Sequence, residues 1–110
     1  MSDVTRSSEE EAARGLAALG NRTRLRLFKL LVQAGPEGLN VGDLQRHLGV
    51  PASTLAHHLA TLVRADLISQ SRQGREVISS ANYQSMNALA AYLTDQCCVG
   101  VALESAPDAA

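Results

Sequence analysis

With 110 residues the chain is long enough for one domain, whose own core can remove only about two thirds of the unfolded surface from water, so a partner subunit would add stability. Hydrophobic residues make up 45% of it and aromatics 3%, which excludes an aromatic-rich interior and favours helices packed through leucine, valine, isoleucine and alanine. The net charge of −1 excludes a uniformly basic nucleic-acid binder, yet nine basic residues face four acidic ones between Arg14 and Glu76, and both ends of the chain are acidic.

A basic centre between acidic ends suits a modest DNA reader, because phosphate neutralisation supplies the sequence-independent part of binding; a solvated surface of uneven charge would look the same. No segment approaches the roughly 18 apolar residues of a membrane span. The start, "MSDVTRSSEEEAARG", lacks the apolar centre of a signal peptide, so a cytoplasmic protein with no membrane partner is expected. In that reducing compartment a structural disulfide is not expected. The domain organisation expected is a flexible N-terminus over 1–10, one domain over 11–98 and a flexible tail over 99–110.

The first element is a helix opening with "EEEAARGLAAL", its glutamates placed at the positive end of the helix dipole. In "NRTRLRLFKLLVQAG", Leu25, Phe28, Leu31 and Val32 recur at helical spacing, and Gly35-Pro36 stops the helix. "VGDLQRHLGV" carries Val41, Leu44 and Leu48 on one face and ends at Gly49, which permits a tight turn. "PASTLAHHLATLVRAD" begins at Pro51, a favoured first-turn residue, and its buried stripe is Leu55, Leu59, Leu62 and Val63. Two helices joined by a short glycine-containing turn read as a helix-turn-helix.

The buried stripe leaves Ser53, His57, Thr61 and Arg64, with Thr54 beside them, on the outward face of the second helix. Hydroxyls, an imidazole and a guanidinium can bond base edges and phosphates in a major groove, although an ordinary polar face has the same composition. His58 leans towards the core edge and reads as a packed, hydrogen-bonded histidine. Beyond Asp66, "LISQSRQGREVISSA" has β-branched residues on both sides of Gln73-Gly74, so a two-stranded hairpin is expected with Arg72 and Arg75 at its tip. A basic hairpin after a helix-turn-helix is the layout of a winged helix, whose wing touches backbone or minor groove.

Through "LGNRTRLRLFKLL", "VGDLQRHLGVPASTLAHHLATLVRADLI" and the Gln73-Gly74 wing, roughly residues 12 to 98, the chain resembles the ArsR family of bacterial winged-helix repressors. The resemblance implies a mostly α fold with a small β-hairpin, a winged helix-turn-helix dimerising through its first and last helices. It also implies a homodimer on double-stranded operator DNA bearing an inverted repeat, with half-sites about one helical turn apart. Ser53, Thr54 and His57 match the family's base-reading positions, and Arg72 and Arg75 its wing. Two of the family's sensing sites are missing: "LNVGDL" has Asn40 and Gly42 where some members carry cysteines, and "NYQSMNALAAYLTDQ" has no histidine and one acid.

What remains for sensing is Cys97-Cys98, the chain's whole supply of thiols, expected to close the last helix on a stripe of Tyr83, Met86, Leu89, Ala90, Leu93 and Cys97. Some family members use neighbouring cysteines near this point for trivalent arsenic, which takes three thiolates. Here two thiols would satisfy a methylarsenite, whereas inorganic arsenite or antimonite would need a hydroxide, a small-molecule thiol or a cysteine across the dimer. Zinc would want four ligands. The function expected is a repressor released from its operator by a trivalent arsenic or antimony species bound at Cys97 and Cys98, with no cofactor required. Alternatives are a thiol-based redox sensor, or a dimeric interaction module without DNA binding. An enzyme is not expected, since no nucleophile has a matching base and orienting group.

Overall fold

The computed structural model describes residues 8–102. In chain order these form α1 (Glu9–Leu19), α2 (Arg22–Ala34), β1 (Leu39–Asn40), α3 (Val41–Leu48), α4 (Ala52–Arg64), β2 (Ile68–Gln73), β3 (Glu76–Ala81) and α5 (Tyr83–Thr94). The fold is a winged helix-turn-helix of five helices and a small antiparallel sheet in the order β1-β3-β2. β1 is an addition to the expected hairpin: at two residues it is too short to leave a strand pattern in the sequence.

Local chemistry sets the helix starts. Glu11 N–H donates to Ser8 Oγ while Ser8 N–H donates to Glu11 Oε1, each at 3.1 Å, a reciprocal cap at the head of α1. That helix begins at Glu9, inside the 1–10 stretch expected to be flexible, while residues 1–7 and 103–110 lie outside the described residues. The side chains of Asn21, Asn40 and Asn82 accept from the backbone at Arg24, Asp43 and Ser85, capping α2, α3 and α5. Pro51 takes the cap position of α4 rather than its first turn, and it brings no capping side chain.

Gly49 ends α3 in the left-handed conformation, with φ 67°, as the turn of the helix-turn-helix requires. Gly38 meets a stricter demand: at φ 70° a β-carbon there would stand 2.2 Å from the Ser79 carbonyl oxygen, so no larger residue lets β1 approach β3. The hairpin turns at Gly74-Arg75, one residue later than expected, because Gln73 pairs with Glu76 and Gly74 supplies the positive φ of 65°.

Leu27, Leu31, Leu44, Leu55 and Leu62 are fully buried and join Phe28, Leu59, Leu67 and Ile68 in the core between α2, α3, α4 and the sheet. Three stripe residues are corrected: Leu25, Val41 and Val63 are 47%, 36% and 38% exposed. In α2 the cause is Arg24, which turns inward with Leu27, Phe28 and Leu31 and rotates Leu25 to the flank. Beneath α1, the buried Ala12 and Gly15 let α5 come close; a β-carbon on Gly15 would touch Leu89 at 3.5 Å.

The last helix is corrected as well. α5 stops at Thr94, so Cys97 and Cys98 lie on a turn beyond it rather than on the helix. Of the expected stripe only Leu89 is buried; Tyr83 and Met86 are half-buried, and Ala90 and Leu93 face outward. A helix persists where one face packs, and every residue from Leu93 to Ala102 is exposed. Asp95 then leaves the helical backbone, and Gln96 and Cys98 take positive φ values of 60° and 68°.

Candidate functional site

α4 is held by its apolar face: Leu55, Leu59 and Leu62 point into the core. Ser53, Thr54, His57 and Arg64 are exposed on the opposite side, and Thr61 is half-buried between them. The five lie within one third of the helix circumference and span about 16 Å of its length, a continuous polar strip. Thr61 is the least free: its hydroxyl donates to the His57 carbonyl at 3.1 Å and lies 3.4 Å from the Arg64 guanidinium. Both residues also line a groove shared with Arg14, Ala17 and Ala18 of α1, which places the C-terminal end of the strip beside the first helix. At the other end, the bare start of α4 leaves its first-turn amides without a side-chain partner, the kind of helix end that receives phosphate oxygens.

The wing presents Arg72 and Arg75, both exposed. Arg75 lines a groove with Asn40, Gly42 and Arg46, so the hairpin tip and the start of α3 share one surface. Asn40 Nδ2 donates to Glu76 Oε2 at 3.4 Å and ties the wing base to that helix. Arg46 was not singled out from the sequence; its side chain is paired with Asp43 one turn earlier on α3. Only the fold brings it opposite Arg75.

His58 behaves as expected: it is buried, 8% exposed, and its Nδ1 lies 3.3 Å from Arg24 Nη1. Burial lowers its pKa below the ordinary 6.5, and the charge of Arg24 and then His57 lower it further. Arg24 also donates from Nε to the Ala18 carbonyl at 2.6 Å.

The two cysteines meet on the turn after α5. Their sulfurs are 2.9 Å apart, both residues are exposed, and neither is in a disulfide. The turn is closed by Cys97 N–H donating to the Thr94 carbonyl at 3.1 Å and Val99 N–H to the Gln96 carbonyl at 3.3 Å. The hydrogen bond with Cys98 raises the Cys97 pKa, since the thiol proton is shared between the sulfurs. No group of three or more His, Cys, Asp or Glu side chains arranged to hold a metal ion occurs among the described residues. Nor is any described helix long and apolar enough to cross a membrane.

A second link joins α4 to α5. Asp66, just past the end of α4, holds a left-handed φ of 64°, accepts from Ser85 Oγ at 3.2 Å and takes Asn82 Nδ2 on its carbonyl at 3.1 Å. The start of the last helix is thereby fastened to the end of the helix that carries the polar strip.

A helix-turn-helix domain model matches residues 19–70. The HTH-type transcriptional regulator YgaV of Escherichia coli (strain K12) is 32% identical over 92 residues, covering 84% of this chain and 91% of that protein. Among solved structures, an ArsR-like transcriptional regulator from Rhodococcus sp. RHA1 is 28% identical with a TM-score of 0.65, covering 74% of each chain. NolR from Sinorhizobium fredii is 32% identical with a TM-score of 0.62, covering 77% of this chain and 82% of that one. The matches join the winged fold to transcriptional regulation, not catalysis, and the chain belongs to the ArsR family of DNA-binding transcriptional regulators.

Proposed function

We propose that the chain is a repressor that binds an inverted-repeat operator as a homodimer and is released when Cys97 and Cys98 capture a trivalent arsenical. The observation that carries this reading is the thiol pair: two exposed sulfurs 2.9 Å apart on a short turn, positioned to bind one soft atom together. Methylarsenite keeps its carbon and exchanges two hydroxyls for two sulfurs, releasing two waters, so the pair satisfies it. Arsenite or antimonite needs a third ligand from hydroxide, a small-molecule thiol or the partner protomer.

On the DNA side, Ser53, Thr54 and His57 read base edges from the N-terminal half of α4, and Thr61, Arg64, Arg72 and Arg75 hold phosphates. The exposed Leu16 on α1 and Leu93 on α5 supply apolar surface for the dimer. Drawing the thiol turn around an arsenic atom would reorganise the end of α5. The Asn82 and Ser85 bonds to Asp66 give that change a route to α4. A few kcal/mol of preference for the free form is enough to empty the operator.

The test is direct arsenical binding. One methylarsenite per chain should consume both titratable thiols, and Cys97→Ser or Cys98→Ser should each abolish that uptake while leaving the fold intact. Both thiol protons leave in the released waters, so affinity should be flat with pH while the pair is protonated, and only the rate of capture, which needs a thiolate, should rise with pH, held back by the raised Cys97 pKa. Unchanged uptake by either serine variant would place the site elsewhere. Oxidation of the same pair is less well supported, because the thiolate is the form that attacks peroxide and the Cys97–Cys98 bond favours the thiol.

A further inference from the structure

Arg24 departs from the other cations of α2. Arg22, Arg26 and Lys29 point to solvent, whereas Arg24 sits half-buried on the core-facing side of the same helix. Its guanidinium reaches two other elements: Nε bonds the Ala18 carbonyl near the end of α1 at 2.6 Å, and Nη1 lies 3.3 Å from His58 Nδ1 in the middle of α4. A guanidinium only donates, so Nδ1 of His58 must be the bare, accepting nitrogen and the ring must be neutral, with its proton on Nε2. Protonation would turn that acceptor into a second donor and set two cations against each other in a buried place.

We propose that Arg24 is a positioning residue for the recognition helix: its guanidinium straps the end of α1 to α4 through the neutral imidazole of His58, and protonation of that imidazole releases the strap and weakens DNA binding. The proposal rests on reading α4 as the recognition helix. His58 is one residue from His57, a base-reading candidate, so a shift of its ring alters the pitch and depth at which the polar strip meets DNA. The groups acting electrostatically on His58 are Arg24 from α2 and its own neighbour His57, whose ring centroid is 5.8 Å away. α1 contributes the Ala18 carbonyl through Arg24, and β2, which packs on α4, buries Ile68 rather than a charge.

The sign follows from the lowered pKa. Because the folded protein resists protonating His58, folding stability falls as pH drops below the ordinary value of 6.5, and the strap in the folded protein opens as pH passes down through the lowered pKa. A single proton per chain limits the change to about tenfold in affinity per pH unit per protomer.

The experiment compares the full chain with His58→Gln, whose amide oxygen still accepts from Arg24 but does not titrate, and with Arg24→Lys, which keeps the charge and loses the fork. His58→Gln keeps His57, so the difference between the two profiles removes the effect of protonating the strip itself. Fluorescence anisotropy on a duplex from the chain's own promoter, between about pH 5 and 8, reads affinity. Thermal denaturation without DNA over the same range reads the strap alone. The expected result is a larger loss of affinity and of melting temperature in acid for the unaltered protein than for His58→Gln, and weakened binding at neutral pH for Arg24→Lys. Superimposable melting profiles with and without the His58→Gln substitution would overturn the strap. A pH-dependent melting difference without any DNA binding would instead overturn α4 as the reading helix, and with it the proposal's consequence for DNA.

Discussion

The helix-turn-helix and the thiol turn are built in opposite ways. Around α4, leucines with no exposed surface fix the helix on one side, and Arg24 and Asp66 fasten it to the helices before and after it. Around Cys97 and Cys98 no described residue from Leu93 onward is buried, and the turn is closed by short local hydrogen bonds. A reader of DNA must present its side chains in one geometry, so rigidity there is useful. A sensor must change shape on binding, and a turn with little packing to lose can do so at small cost.

The largest effect should separate the two regions by stability. Leu55→Ala removes a fully buried side chain and should cost about 2–5 kcal/mol in chemical denaturation. Leu93→Ala, at a residue 59% exposed, should change the stability of the isolated protomer by less than about 0.5 kcal/mol. Comparable losses at both positions would mean that the end of α5 is packed as firmly as the core.

Function should divide along the same line at smaller magnitude. His57→Ala should weaken specific operator binding by about 1–3 kcal/mol, measured by anisotropy against a scrambled duplex, with uptake of methylarsenite unchanged. Equal losses on operator and scrambled DNA would assign His57 to the phosphates instead. Smallest is the wing: Arg75→Ala should lower affinity nearly uniformly across sequences and reduce the slope of log affinity against log salt by about 1 per phosphate contact. A change in sequence preference would put that arginine in a groove.

The division between rigid and loose regions also explains what could be read from the chain alone. The helical stretches that became α2 and α3, the Gly49 turn and the buried His58 were legible because each follows from a few neighbouring residues. Arg24 was not, because an inward arginine is defined by the carbonyl of Ala18 and the ring of His58, which the fold brings to it, and its rotation exchanged Leu25 for Leu27 in the core. Arg46 escaped notice since only the fold brings it to the groove it shares with Arg75. The end of α5 was misplaced for a related reason: the spacing from Tyr83 to Cys97 is helical, but no tertiary surface exists to hold the last turns. The pairing of the two sulfurs survived that error, since neighbours in sequence can meet on a turn as readily as on a helix end.

Capture of an arsenical by the thiol turn should be felt at α4. Fluorescence anisotropy of the reduced protein on its own promoter DNA, titrated in parallel with methylarsenite, arsenite, zinc and peroxide, reads that coupling. Methylarsenite should release the DNA at near-stoichiometric concentration, arsenite more weakly and zinc not at all, and the Cys97→Ser protein should stay bound. DNA binding that no arsenical relieves, or release that persists in the serine variant, would show that the thiol turn does not control α4.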